Sequence, residues 1–65
     1  MSELICKVWM LFDGRYRTNS DRAICFECCE SEKEAISISK EYGEDTVIVE
    51  FETNVREIKN PKIIN

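Results

Sequence analysis

The four cysteines have the most evident capacity for chemistry in this 65-residue chain. Cys25 and Cys28 are spaced as C-x-x-C, the spacing at which two thiolates often bind zinc from one turn. The segment around them has the composition of a β-strand, however, and residues three apart on a strand point to opposite faces. The chain has no histidine that could complete a ligand set. The pattern therefore favours cysteines packed as small hydrophobic side chains, and we predict neither a metal nor a cofactor.

Disulfide and redox chemistry are also disfavoured by the sequence. An even number of cysteines indicates a disulfide framework in a secreted chain, but the N-terminal Met1-Ser2-Glu3 is acidic where a secretory signal is basic. We therefore predict a cytoplasmic protein with reduced cysteines, in which Cys6 and Cys28 are the one pair within reach of each other. A redox C-x-x-C motif normally lies at a helix N-terminus, which lowers the thiol pKa, whereas the helix here is predicted to start after Cys29.

Catalytic constellations are missing from the sequence. Without histidine there is no common general base at neutral pH and no partner that would activate a serine or cysteine nucleophile. The two glycines, Gly14 and Gly43, are too far apart for a glycine-rich phosphate loop. We predict that the chain is not an enzyme.

The segment from Asp13 to Arg22 is one candidate binding site. It combines arginine with an aromatic residue, types that are enriched at interface hot spots. Arginine also binds phosphate, and a tyrosine can stack on a base. The alternative is internal pairing of the arginines with Asp13, Asp21 and nearby glutamates, which would hold the loop in shape. The candidate binding residues are Arg15, Tyr16, Arg17 and Arg22.

The charge balance limits the possible partners. The formal net charge is −4, which disfavours a global attraction to nucleic acid. The longest apolar stretch, Val8 to Phe12, is far shorter than the ~20 residues needed to cross a bilayer, so we predict no membrane association. Most acidic residues lie in the second half of the chain, which leaves open a phage-type inhibitor that presents carboxylates to a nucleic-acid-binding protein.

The sequence pattern predicts a single α+β domain of order β-β-α-β. The strands are predicted at 4–12, 23–29 and 46–52, and the loop 13–22 is expected to extend the first two strands in part. A helix should start after Ser31, whose hydroxyl and Glu34 form a capping box, and end at Gly43. A right-handed crossover makes the second and third strands parallel. Placing the most apolar strand, the first, between them predicts a three-stranded, mainly antiparallel sheet of order 2-1-3 with the helix on one face. A short edge strand at 55–59 and a flexible or docking tail at 60–65 complete the prediction.

The alternation of side chains predicts two apolar faces of this sheet. With Met10 opposite Ile24, Val8 opposite Phe26 and Cys6 opposite Cys28, one face becomes uniformly apolar and is expected to lie under the helix. Its members are Leu4, Cys6, Val8, Met10, Phe12, Ile24, Phe26, Cys28, Val47, Val49 and Phe51.

The other face contains Trp9, Leu11 and Ile48, together with Ile5, Lys7, Cys25 and Cys29. It is too apolar to remain in water, so we predict Trp9, Leu11 and Ile48 as binding residues. Three covers remain open: a second copy of the chain, a different partner, or the C-terminal segment with Val55, Ile58, Ile63 and Ile64.

These features predict a small, non-enzymatic, intracellular interaction or regulatory protein that acts by protein–protein binding, including self-association as a homodimer. The alternative is an accessory module that binds nucleic acid through the loop between Arg15 and Arg22.

Overall fold

The chain forms one helix and a four-stranded antiparallel sheet in a computed structural model, which describes residues 6–54 and 57–65. The sheet order is β2-β1-β3-β4. The predicted α+β class and the order 2-1-3 of the first three strands are confirmed, but the sheet has four strands, not three. The elements are β1 (Cys6–Phe12), β2 (Cys25–Cys29), α1 (Glu32–Tyr42), β3 (Val47–Thr53) and β4 (Ile58–Ile63).

The fourth strand runs through a dipeptide that was expected to end it. The prediction placed a tail after Lys59 because Asn60-Pro61 is a turn signal. Proline is tolerated in an edge strand, where its missing N–H faces no partner, and Asn60 adopts a positive φ of 55° at an irregularity in the pairing with β3. The strand therefore continues to Ile63, and Val55, predicted to help cover the Trp9 face, lies outside the described residues.

The loop between β1 and β2 is folded and does not extend the strands. Residues 14–17 and 20–22 each form a 3-10 turn, and the Asp13 N–H donates to the Ile24 carbonyl to close the hairpin. Met10 therefore pairs with Cys28 and not with Ile24. The predicted partner of Met10 is therefore wrong by four residues. A shift by an even number of residues keeps each side chain on the same face of the sheet, so the alternation could not distinguish the two registers.

The helix begins and ends as the sequence predicts. The Ser31 hydroxyl accepts a hydrogen bond of 3.1 Å from the Glu34 N–H, which satisfies one of the free donors of the first turn. The Gly43 N–H donates to the Ser39 carbonyl at the other end. Gly43 has φ 119° and ψ 175°, a conformation that residues with a Cβ rarely adopt.

We expect Gly43→Ala to destabilise the fold by about 1–3 kcal/mol. An added Cβ would have no atom within 4 Å, so this cost would come from backbone strain and not from a steric clash. Gly14→Ala is the matched control: its Cβ would make ordinary contacts of 3.4 and 3.6 Å with Asp45. Urea unfolding monitored by circular dichroism compares the two variants. Equal stabilities would contradict a conformational role for Gly43.

The helix packs on the face of the sheet that contains Trp9. The buried cluster consists of Leu11, Cys29, Ala35 and Ile48, and Trp9, Phe26, Ile38 and Ile64 pack against it. The prediction that Val8, Met10, Phe12, Val49 and Phe51 lie under the helix is therefore wrong. Leu11 is 0% and Ile48 2% exposed.

The narrow apolar stripe of α1 explains this choice. Ala35 is its only fully buried residue and Ile38 is partly buried, so α1 covers a small patch. The Trp9 face offers such a patch beside charged residues, of which Lys7 is exposed and Glu50, Glu52 and Lys59 are partly buried. The Lys7 Nζ lies 3.6 Å from the Glu50 carboxylate, and Glu52 and Lys59 are Cα partners in the neighbouring row of the sheet.

Candidate protein-binding surface

The side of the sheet opposite α1 is apolar, and we call it the outer face. Its members are assigned from the strand pairing, which places Cα partners on the same face. No strand residue assigned to this face within residues 6–54 and 57–65 is charged. The outer face comprises Cys6, Val8, Met10, Phe12, Cys25, Cys28, Val47, Val49, Phe51, Thr53, Ile58 and Ile63.

One row of the outer face crosses all four strands without a polar side chain. Met10 pairs with Cys28 on one side and with Val49 on the other, and Val49 pairs with Ile63. The next row joins Val8 to Phe51. A sheet face that looks onto water normally carries polar side chains, so the composition of these rows is that of a face that packs against another layer.

The outer face covers itself only in part. The ring centroids of Phe12 and Tyr16 are 4.6 Å apart, and those of Phe12 and Phe51 are 6.3 Å apart. Val47 and Val49 are fully buried on this face. By contrast, Ile58 is 51% and Ile63 39% exposed. The Phe12 end is therefore protected by the first 3-10 turn, while the β4 side remains open.

The predicted binding role of Trp9, Leu11 and Ile48 depended on their face being open, and that reason no longer holds. Leu11 and Ile48 are buried beneath α1, and Trp9 is partly buried at the edge of the same cluster. The indole N–H of Trp9 is buried and meets no acceptor among the described residues. Because both faces are apolar in sequence, no local signal indicated which of them the helix would cover.

Three of the four predicted loop residues make contacts within the chain. Arg15 donates to Asp13 through Nη2 at 2.8 Å, and Arg17 donates to the main-chain oxygen of Asn65 at 2.7 Å. The Tyr16 ring packs on Phe12. Arg22 is exposed. These contacts agree with the alternative in which the arginines hold the loop in shape, although exposed ion pairs are weak and leave the guanidinium groups accessible.

Asp13 organises this loop electrostatically. Its carboxylate accepts hydrogen bonds from the N–H groups of Arg15 and Ile24 at 2.9 and 3.2 Å, besides the guanidinium of Arg15. The hydrogen bond with the Arg15 side chain is the main cause that lowers the pKa of Asp13 from 3.8 to about 2.

We expect the order of this loop to depend on pH only in strong acid. The pKa of Asp13 is lower in the folded chain than the ordinary 3.8, so its contribution is complete above pH 3.8 and is lost as the pH falls towards 2. NMR titration of the Asp13 carboxyl carbon and of the Arg15 and Ile24 amides measures this. The amide response should vanish in Asp13→Asn, and an Asp13 midpoint near 3.8 would contradict the assignment.

The cysteines do not behave as the predicted buried set. Cys29 is buried, but Cys6, Cys25 and Cys28 are exposed, and all four are free. Leu11 pairs with Glu27 and Phe12 with Cys25, so a bulge at Phe26 turns Cys25 towards the same face as Cys28. The side chains of Cys25 and Cys28 therefore share one face of the sheet, and the prediction that they point to opposite faces is wrong. Cys6 pairs with Thr53, and Cys28 with Met10 four residues further along β1, which separates the pair expected to be in reach.

Burial raises the pKa of two of the thiols, those of Cys28 and Cys29. Within the described parts of the chain, no group of three or more Cys, Asp or Glu side chains is placed to hold a metal ion. Partial burial is the main cause that raises the pKa of Cys28, and Cys25, Glu30 and Glu27 add to it. The Cys28 thiol is therefore neutral at neutral pH, which keeps this part of the outer face uncharged.

The fold and the outer face define a small α+β domain in which one sheet face lies under a helix, and no helix or strand of the described residues forms a second layer over the other, apolar face. Comparison with family models, with curated proteins and with solved structures finds no match to this chain. No helix in the described residues is both long enough and apolar enough to cross a membrane.

Proposed function

We propose that this chain is a non-enzymatic protein-interaction module that binds through its outer face. The observation that carries the proposal is the uncharged row Cys28-Met10-Val49-Ile63, which runs across the whole sheet on the side opposite α1. Val49 is already fully buried within this row, so the apolar surface that meets water is that of its exposed members, Ile63 and Cys28. Monomeric proteins seldom leave a large apolar patch in water. A chain that binds in this way would act by occupying the surface of its partner.

The exposure of the β4 side indicates where a partner would make its main contacts. Ile58 and Ile63 are about half and two-fifths exposed, so a partner that covered them would remove apolar area from water at about 25 cal/mol per Å². Phe51 and Met10 are partly exposed beside them. Arg15 and Arg22 are exposed in the loop that follows β1, and polar side chains of this kind are typical of the rim of an interface.

Two isoleucines of equal exposure provide the test. Ile63 on the outer face and Ile36 on α1 are each 39% exposed, so Ile63→Lys and Ile36→Lys change the monomer surface to the same extent. Tagged wild-type chain and the two variants are incubated with extract of the source cells and with untagged chain, and bound proteins are quantified by mass spectrometry. We expect at least one protein, or the untagged chain, to bind the wild type and Ile36→Lys but not Ile63→Lys. Equal recovery by all three would contradict the proposal.

A further inference from the structure

We infer that the partner of the outer face is a second copy of this chain, packed face to face so that the two sheets form the layers of a β-sandwich. This inference rests on the proposed function and names the occupant of the same surface. Sandwiched sheets pack about 10 Å apart with strands aligned to within about 30°. The inference follows from the size of the core, the charge of the chain, the area of the face and its shape.

The core of one copy is small. Within residues 6–54 and 57–65, six apolar residues are buried, namely Leu11, Cys29, Ala35, Val47, Ile48 and Val49. Domains below about 70–80 residues often gain stability from disulfides, a metal, oligomerisation or unusually dense packing. All four cysteines are free, and the described residues contain no metal-binding cluster. Oligomerisation would bury further apolar surface, and a second copy is a partner that is present whenever the chain folds.

The charge distribution selects the outer face for contact between identical chains. Each copy carries a formal charge of −4, so most pairs of surfaces would bring carboxylates together at a cost. The outer face lacks charged strand residues in the part of the chain that is described. A two-fold contact needs a surface that is complementary to itself, and an uncharged apolar face meets this condition.

The area of the outer face fits a weak dimer. Four strands spaced ~4.8 Å apart and five to seven residues long at ~3.3 Å per residue give a face of roughly 19 by 21 Å. Two such faces would bury roughly 800 Å² in total, which is below the about 1,000 Å² of a stable specific interface and in the range of weak, transient contacts. We therefore expect a weak dimer whose population changes with concentration.

The shape of the face restricts the symmetry. The first 3-10 turn, with Tyr16 packed on Phe12, thickens one end of the outer face, whereas Cys6 and Ile58 are exposed at the other end. A two-fold axis that runs across the strands places the turn of each copy over the open end of its partner. An axis along the strands would bring the two turns together and leave the open ends uncovered.

Sedimentation velocity over a wide concentration range tests the dimer, with wild type, Ile63→Lys and Ile36→Lys compared at equal concentrations. The wild type and Ile36→Lys should approach twice the monomer mass of 7.6 kDa as concentration rises. Ile63→Lys should raise the dissociation constant at least roughly tenfold, because it places an unpaired charge in an apolar contact. Circular dichroism checks that each variant is folded, and Ile58→Lys replaces Ile63→Lys if that variant fails to fold.

Alkylation of Cys28 provides a measurement that needs no variant. Cys28 is exposed on the outer face of one copy, so its reaction with iodoacetamide should slow several-fold as the wild type dimerises. A folded wild type that stays monomeric and leaves Cys28 equally reactive at every concentration would overturn self-association. The proposed function would then still be judged by whether another protein binds the outer face. A dimer that Ile63→Lys does not weaken would overturn the face-to-face arrangement.

Discussion

Leu11→Ala should destabilise the fold by about 2–5 kcal/mol, the usual range for removing a fully buried leucine side chain. Leu11 is 0% exposed and lies in one cluster with Cys29, Ala35 and Ile48, so its truncation leaves a cavity where α1 meets the sheet. A domain of this size has a free energy of unfolding of only about 3–10 kcal/mol. Urea unfolding monitored by circular dichroism should show a large fall in the midpoint.

This result distinguishes between the two sides of the sheet. Had α1 packed on the outer face, as the sequence pattern predicted, Leu11 would not lie under the helix, and its truncation would leave no cavity between α1 and the sheet. Ile36→Ala is the control, because Ile36 is an apolar residue that is 39% exposed on α1; we expect it to change stability by less than about 1 kcal/mol. A Leu11→Ala variant as stable as Ile36→Ala would place the core on the other face.

Asn65→Ala should destabilise the fold by about 2–3 kcal/mol, although Asn65 itself is exposed. Its Nδ2 donates to the Thr46 carbonyl at 2.9 Å, and its Oδ1 accepts from the Ile48 N–H at 2.9 Å. Thr46 and Ile48 are 5% and 2% exposed. Removing the amide leaves a donor and an acceptor with no partner in a mostly dry environment, at about 1–3 kcal/mol for each group.

Hydrogen exchange reports this effect locally. The Ile48 amide should exchange faster in Asn65→Ala, because this amide donates to the side-chain Oδ1 of Asn65, which acts in place of a carbonyl from a neighbouring strand. Asn19→Ala is the control, since the exposed Asn19 makes no side-chain bond as the cap of the second 3-10 turn. Unchanged protection of Ile48 in Asn65→Ala would show that the two hydrogen bonds do not hold this end of the strand.

Local signals predicted the elements of the fold well. Ser31 and Gly43 bound α1 as expected because capping is decided by residues within one turn of the helix ends. The near-continuous apolar run of β1 was enough to place this strand between β2 and β3. β4 was underestimated, because Asn60-Pro61 usually breaks a strand and only its position at the sheet edge makes it tolerable.

The sequence predicted an apolar face that is free to bind, and the structure leaves the opposite face of the sheet without the helix. The alternation of β1 correctly separated Trp9 and Leu11 from Val8 and Met10. It gave no indication of which group the helix would cover, because both are apolar. In the structure Ala35 is the only fully buried residue of α1, so the helix covers a small patch, and the sequence did not show this extent of burial.

The class of fold, the ends of the helix and the separation of the β1 side chains into two sets follow from the order of residues in the chain, because they depend on steric preferences and hydrogen bonds between near neighbours. The central position of β1 follows from its apolar content. The β1–β2 register, the bulge that brings Cys25 and Cys28 to one face, and the face on which α1 packs arise from contacts between distant residues. They depend on the closure of the hairpin at Asp13 and Ile24 and on how much area one short helix can cover. The two-residue alternation of a strand is compatible with more than one of these arrangements.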